Sequence, residues 1–219
     1  PKVSIIVLTY NNLEINKICM NSILHNTAYA NYELIVVDNC STDGTTDYLR
    51  TLERDDARVK LILNKENKGF AGGNNVGINA SSGEYVLLLN NDTVVTRGWI
   101  TAMAKHLENN SKLGMCGPVT NSIGNEAKIK VNYHSVKEMY SFAYRYTTDH
   151  LNSEYKNPNV LALFCTMIKR NVIDSCGLLD EMYEVGMFED DDYAEAVKQK
   201  GYELAIAEDA FIHHFEGAS

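Results

Sequence analysis

The chain's 219 residues suit one α/β domain, or one domain with a short lobe, and 45% hydrophobic residues place it far from the disordered regime. A net charge of −9, from 20 Lys and Arg against 29 Asp and Glu, argues against nucleic acid as a partner, because a phosphate backbone is gripped by clustered cations. An acidic protein that binds a diphosphate must neutralise it locally, and a divalent cation is the obvious means.

The longest apolar runs, residues 3–8, 85–89 and 160–165, are strand-sized, well short of the roughly 18 residues that span a bilayer. The sequence opens on Pro1 rather than Met and shows no positively charged, apolar leader, so a trimmed piece with missing neighbouring domains is expected. The five cysteines (Cys19, Cys40, Cys116, Cys165, Cys176) are odd in number and lack CxxC spacing, which reads as reduced thiols in a cytosolic protein.

In chain order, Val3–Thr9 reads as a buried strand, and Leu13–Asn26 as a helix with Leu13, Ile15, Ile18 and Ile23 at helical spacing. Residues 34–38 form a second apolar strand. The turn Ser41-Thr42-Asp43-Gly44-Thr45-Thr46, rich in N-capping residues, leads into a helix to about Arg54. Val59–Leu63 is a third strand, 64–69 a polar loop, and 71–80 a helix stopped by Ser81-Ser82-Gly83. A fourth strand, 85–89, ends at Asn90-Asn91-Asp92, and a helix Trp99–Asn109 and a strand 115–119 follow. Such alternation predicts a mostly parallel sheet covered on both faces, with ligands at the carboxyl ends of its strands. Thr9-Tyr10-Asn11, Asp38-Asn39 and Asn90-Asn91-Asp92 each stand directly after a strand, which is the first functional signal.

The rhythm loosens after Pro118. Residues 120–158 hold five tyrosines (Tyr133, Tyr140, Tyr144, Tyr146, Tyr155); one helix is predicted at 136–146 and loop elsewhere, more mobile than the strands. A strand at 160–168, a short helix at 171–176 and a helix opened by Glu189-Asp190-Asp191-Asp192 and running to Lys200 come next. Two short extended pieces, 204–207 and 211–215, close the pattern.

Several of these segments can carry chemistry. Asp38 suits either a turn cap or a carboxylate accepting from the imide N–H of uracil or thymine. The stretch from Asn67 through Gly69 to Asn75 is glycine-rich before a helix, so its backbone could approach phosphates, but it is neither a Walker A nor a G-x-G-x-x-G sequence. Asp92 can hold a hard cation together with phosphate oxygens and waters, or cap the following turn. Acids in a first helical turn are worth about 0.3–1 kcal/mol each through the helix dipole. Four adjacent acids also repel, which raises at least one pKa and suits a general base. His213 and His214 are adjacent imidazoles, one of which could serve a diphosphate–metal site.

Taken together, these segments resemble the large family 2 of inverting glycosyltransferases. The opening Val3-Ser4-Ile5-Ile6-Val7-Leu8-Thr9-Tyr10-Asn11 is similar to that family's first strand and nucleotide-contacting turn. Val36-Val37-Asp38-Asn39-Cys40-Ser41-Thr42-Asp43 resembles its Val-Val-Asp-(Asn)-x-Ser-x-Asp signature, and the 67–75 stretch its nucleotide-side loop. Asn90-Asn91-Asp92 stands in the place of the DxD metal motif with its last acid retained. Gly177-Leu178-Leu179-Asp180-Glu181, then Phe188-Glu189-Asp190, resembles the acceptor-side segment and ED motif, and His214-x-x-Gly217-x-Ser219 the C-terminal histidine motif. Ala196 replaces an Arg frequent in the family, and Asn90 and Asn91 replace acids, which would weaken metal affinity.

The resemblance covers essentially the whole chain, 120–158 least, and the subfamily resembles rhamnosyl- and related transferases acting on polysaccharides or protein glycans. It implies a GT-A fold: a Rossmann-like, mostly parallel α/β sheet flanked by helices, with a smaller acceptor-side lobe. Residues 1–119 would form the nucleotide-sugar half and 120–219 the acceptor and catalytic-base half of one domain. Thr9, Tyr10, Asn11, Asp38, Asn67, Gly69, Asn75, Asn90 and Asn91 would hold a UDP- or dTDP-sugar. Asp92 and His214 would bind Mg²⁺ or Mn²⁺. Asp190 would be the base, with Glu189 orienting a sugar, and the Tyr-rich stretch would border the acceptor site. The acceptor would be a carbohydrate, a lipid-linked glycan or a glycoprotein. The place implied is the cytoplasm, with the inner face of the membrane within reach of the missing regions. The rival readings are a non-catalytic sugar-binding relative and a nucleotidylyltransferase; the latter lacks its Gly-rich, Arg-containing loop, since 9–16 holds neither residue.

Overall fold

The computed structural model describes residues 1–182 and 189–215. A nine-stranded sheet is built from β1 (Val3–Thr9), β2 (Tyr32–Asp38), β3 (Val59–Leu63), β4 (Tyr85–Asn90), β5 (Thr93–Val95), β6 (Leu113–Thr120), β7 (Glu154–Lys156), β8 (Cys165–Lys169) and β9 (Glu203–His214). Its order is β3-β2-β1-β4-β8-β6-β9-β5, with β7 pairing to β9 off this path. The first four in space are parallel, β8 runs antiparallel between β4 and β6, and β6 and β9 are again parallel. The sheet therefore runs without a break across residues 119 and 120.

Strand alternation explains the two covered faces. Val3, Ile5 and Val7 point into a core shared with α1 (Leu13–Asn26), α2 (Thr45–Asp55) and α4 (Trp99–Asn109). Ile6, Ile35 and Leu88 point the other way, toward α3 (Gly69–Ala80), α5 (Val136–Asp149), α6 (Arg170–Cys176) and α7 (Glu189–Gln199). Among the described residues no helix is long and apolar enough to cross a membrane.

Two glycines of α3, one of them in the 67–75 stretch, have a packing role. A Cβ on Gly73 would stand 2.3 Å from Leu8 Cδ1, and one on Gly77 would stand 2.4 Å from Ile6 Cγ2. One turn apart, these residues let α3 settle against β1, and the helix begins at Gly69, two residues before the expected start at 71.

Four other expectations are revised. The run 160–168 is a strand only from Cys165; Leu161, Leu163 and Phe164 before it are buried in irregular chain. The stretch 120–158 contains a longer helix than expected and the strand β7. Its aromatic rings pack together: Tyr133 lies 5.5 Å from Phe142 and 6.3 Å from Phe211, while Tyr144 is exposed. The two closing pieces are one strand, β9, whose register against β6 jumps from Pro118↔Ala207 to Val119↔Phe211.

Candidate active site

The carboxyl ends of β1, β2 and β4 lie side by side, with Thr9 opposite Asp38 and Leu8 opposite Asn90. Asp38 is buried, and both its oxygens are engaged. Oδ1 accepts from Thr9 Oγ1 at 2.9 Å and Ser41 Oγ at 2.6 Å; Oδ2 accepts from Ser41 N at 2.9 Å and Thr46 Oγ1 at 3.3 Å. The capping arrangement that the sequence allowed is thus formed, and a base imide would have to displace one of these hydroxyls. Asn11, at φ 52°, completes the turn: its N–H donates to Ser41 Oγ (2.7 Å) and its Oδ1 accepts from Thr42 N (2.8 Å). Tyr10 between them is half exposed.

Asn39, buried beside Asp38, holds the next loop. Its Nδ2 donates to Asn67 Oδ1 and to the Gly69 carbonyl, both at 3.0 Å, and its Oδ1 accepts from Asn64 Nδ2 at 2.8 Å. Asn67 Oδ1 also accepts from Gly69 N at 2.9 Å, so Asn67 and Gly69 fix the start of α3.

Two of the expected donor-binding asparagines are committed to protein partners. Buried Asn91 donates from Nδ2 to Asn16 Oδ1 at 2.7 Å, tying the end of β4 to α1. Buried Asn75 bonds the segment after α6, at Leu179 and Glu181. Asn90 closes the site through its backbone, its N–H donating to the Phe164 carbonyl at 2.7 Å.

Asp92 and His214 do meet. His214 Nε2 lies 3.2 Å from Asp92 Oδ1, which is buried and receives no hydrogen bond among the described residues. Phe215 N donates to the Asp92 carbonyl at 2.8 Å, and β5 pairs Thr93 with His214, so the backbone sets this pair. His214 Nδ1 contacts the Ser122 carbonyl at 3.0 Å and must be the donor there, since a carbonyl only accepts. The imidazole is sandwiched against Phe164, with centroids 5.0 Å apart and planes 23° apart.

This donor set fits a divalent cation. Adjacent ligands on an octahedral ion with bonds of about 2.1 Å lie roughly 3 Å apart, close to the observed separation. Among the described residues no group of three or more His, Cys, Asp or Glu could hold a metal, so Asp92 and His214 offer two ligands.

The acidic start of α7 divides by exposure. Glu189 is buried and Asp190 partly buried, whereas Asp191 and Asp192 face solvent. Burial pushes the Asp190 carboxyl up to about 6, with the charges of Glu189 and Asp191 adding to it and a hydrogen bond from the Leu163 backbone opposing it. Leu163 precedes Phe164, so Asp190 and the Asp92–His214 pair are joined by two consecutive residues of one loop. Neither Leu163 nor Phe164 stood out in the sequence, where they read as part of an apolar strand. Ser122 likewise carried no signal. The motif positions Phe188, Gly217 and Ser219 lie outside the described residues.

A groove of about 760 Å³ lies along the start of α5, lined by Ile18, Val94, Tyr133, Met139, His213 and Phe215 among others; Asp38, Asp92 and Asp190 do not line it. Tyr133 Oη and His213 Nδ1 are 2.6 Å apart on its wall, so His213 bonds the 120–158 stretch while its neighbour His214 faces Asp92.

The sequence model of glycosyl transferase family 2 matches residues 4–177. An uncharacterized glycosyltransferase of Haemophilus influenzae is 35% identical over 117 residues, covering 53% of this chain and 36% of that protein. The GalNAc(5)-diNAcBac-PP-undecaprenol beta-1,3-glucosyltransferase of Campylobacter jejuni is 35% identical over 104 residues, 47% of this chain and 33% of that protein. The chain thus spans about a third of the length of these two relatives. A mannosyltransferase of Pyrobaculum calidifontis, solved with GDP-Man and Mn²⁺, superposes with a TM-score of 0.75 at 19% identity, over 100% of this chain and 59% of that one. That likeness establishes a GT-A fold.

Proposed function

The chain belongs to glycosyl transferase family 2, and on that premise we propose that it is the catalytic domain of a metal-dependent, inverting transferase. The donor is a nucleoside-diphosphate sugar, with UDP or dTDP as the carrier, and the acceptor a hydroxyl of a glycan, polysaccharide or protein. The name of the Campylobacter relative supports a lipid-linked glycan among the acceptors, and the neighbour's GDP-Man and Mn²⁺ support a nucleotide-sugar donor and a divalent ion.

The observation that carries this reading is the joining of Asp190, through Leu163 and Phe164, to the Asp92–His214 pair. Asp92 Oδ1 and His214 Nε2 would hold Mg²⁺ or Mn²⁺, which as a Lewis acid stabilises the leaving diphosphate when bound. Thr9, Tyr10, Asn11 and Asp38 form the turn against which base and ribose would lie. Asp190 accepts the proton of the acceptor hydroxyl as that oxygen bonds to the anomeric carbon. The carbon–oxygen bond to the diphosphate breaks on the opposite face, and the nucleoside diphosphate departs with the electron pair. One displacement inverts the anomeric centre and needs no nucleophilic side chain. Glu189, buried beside Asp190, would orient a sugar.

A thermal-shift panel tests the reading: UDP, dTDP, ADP and GDP, each with and without Mn²⁺. Stabilisation follows RT ln(1 + [L]/Kd), so a nucleotide whose shift depends on Mn²⁺ is expected to stand out. No shift with any nucleotide would defeat the proposal.

A further inference from the structure

The glycine- and asparagine-rich start of α3 looks like part of the donor pocket, yet one of its asparagines turns toward the acceptor side. Asn75 is buried. Its Nδ2 donates to the Leu179 carbonyl at 2.9 Å and to Glu181 Oε1 at 2.8 Å, and its Oδ1 accepts from Leu179 N at 3.0 Å. A single primary amide therefore satisfies both backbone groups of Leu179, as a neighbouring strand would. Leu179 lies in neither strand nor helix, so its N–H and C=O have no ladder to join, and a buried backbone pair left unmet is costly.

The same short segment is held from its other side by the helix that carries Asp190. Tyr193 Oη donates to the Gly177 carbonyl at 3.1 Å, and Tyr193 stands three residues, about one turn, after Asp190. Gly177, at φ 94°, ends α6 and begins this segment. Residues 177–181 are thus clasped between Asn75 on α3 and Tyr193 on α7. Gly72, one turn before Asn75, also faces this segment: a Cβ there would sit 3.5 Å from Glu181 Oε2, an ordinary contact distance. At its other end α3 is anchored by Asn39, next in sequence to Asp38. Hydrogen bonds joined by short stretches of chain consequently lead from the donor-side turn to the helix of Asp190.

We propose that Asn75 is a positioning residue that sets α7, and with it Asp190, against the donor half of the site, and that it is not a nucleotide contact. This inference rests on the transferase reading given above. Asn75 acts through Leu179, Glu181 and Tyr193; it touches none of the reacting atoms.

The test uses Asn75→Asp, which keeps the shape and the bond from Leu179 N but loses both donated hydrogen bonds. Glu181→Gln is the conservative control, because Gln Oε1 still accepts from Asn75 Nδ2. Turnover is read as hydrolysis of a panel of nucleotide sugars with Mn²⁺, and nucleotide affinity is measured separately by titration with UDP and dTDP. Misplacing a catalytic group by about 1 Å can cost about 10²-fold in rate, so Asn75→Asp is expected to lose turnover of roughly that order. Its nucleotide affinity is expected to stay within about twofold, because no nucleotide contact is lost. Glu181→Gln is expected to keep most turnover. A second variant, Tyr193→Phe, removes the clasp's other hydrogen bond and is expected to lower turnover in the same direction.

Turnover and nucleotide affinity falling together in Asn75→Asp would make Asn75 a donor contact and overturn the proposal. Unchanged turnover, or a loss only of melting temperature, would reduce it to a fold support and overturn it equally. A wild-type chain that neither binds nor hydrolyses any donor would instead defeat the transferase reading, and this role would go with it.

Discussion

His214 presents Nε2 to Asp92 Oδ1 at 3.2 Å because its other nitrogen is spoken for by the Ser122 carbonyl, 3.0 Å away. That hydrogen bond selects the tautomer with the proton on Nδ1 in the neutral ring, and the Phe164 ring fixes the plane. Asp92→Ala is expected to abolish the Mn²⁺-dependent part of nucleotide stabilisation, out of a total of about 2.7 kcal/mol at a nucleotide concentration of 100 Kd. His214→Ala is expected to weaken it. Thermal melts with and without Mn²⁺ check both. An undiminished Mn²⁺ response in Asp92→Ala would place the ion elsewhere.

Asp38 has two jobs to reconcile. Four donated hydrogen bonds make it the centre of the turn that joins β1, β2 and the start of α2. Hydrogen bonds to a charged group contribute about 1.5–3 kcal/mol each. Asp38→Asn replaces an accepting oxygen with a donor that faces Ser41 or Thr9, so a clear drop in melting temperature is expected. If the carboxylate also reads a base imide, wild-type protein is stabilised more by UDP or dTDP than by ADP or GDP, and the variant loses that preference. Equal shifts with all four nucleotides would leave Asp38 as a turn cap alone.

The sequence carried the strand ends and the site's acids but not the links between them. Alternating apolar runs place Thr9, Asp38 and Asp92 together because parallel strands must end on one side. Local spacing cannot show that Leu163 and Phe164 leave the sheet, since a buried irregular stretch is as apolar as a strand. The glycines of α3 pointed to phosphate for the same reason: a helix packed tightly on a sheet and a phosphate loop both require absent side chains. The hydrogen bonds that hold Asn75 and Asn91 could not be read locally, because their partners lie 104 and 75 residues away. The gap seen between residues 207 and 211 did mark something real, the register jump in β9.

That jump lodges Asp209 against α4. His106 Nε2 lies 2.8 Å from Asp209 Oδ1, and His106 Nδ1 lies 3.0 Å from Glu154 Oε2. Carboxylates only accept, so the arrangement favours the imidazolium, the ring's pKa being raised first by the Asp209 hydrogen bond and then by the two charges, against burial. A raised folded value means that this stabilisation is fully present below the ordinary histidine range. It is lost as pH rises through the folded value. His106→Ala strands two acids and is expected to cost about 3–5 kcal/mol. Urea melts at pH 6 and pH 8.5 check both parts, and the variant's deficit is expected to be larger at pH 6. A deficit independent of pH would mean that the ring is neutral.

Asp190 is expected to oppose stability and serve activity. Its folded carboxyl, near 6, lies above the ordinary carboxylate range, chiefly through burial. The folded chain therefore holds that proton more tightly than the unfolded one, and stability declines as pH rises from about 4 through 6. At pH 7 the ionised group is a cost, so Asp190→Asn is expected to melt no lower than wild type, and slightly higher. A base must be ionised to accept a proton, so wild-type turnover should fall below pH 6 along a limb with a midpoint near that value. Asp190→Asn cannot accept the proton, and turnover should drop about 10²–10⁴-fold with nucleotide affinity nearly unchanged. Asp191→Asn, one residue on and exposed, is the control and should keep most activity. Near wild-type turnover in Asp190→Asn, or a loss explained by failed nucleotide binding, would remove Asp190 as the base. A pH–rate profile without an acidic limb would point the same way.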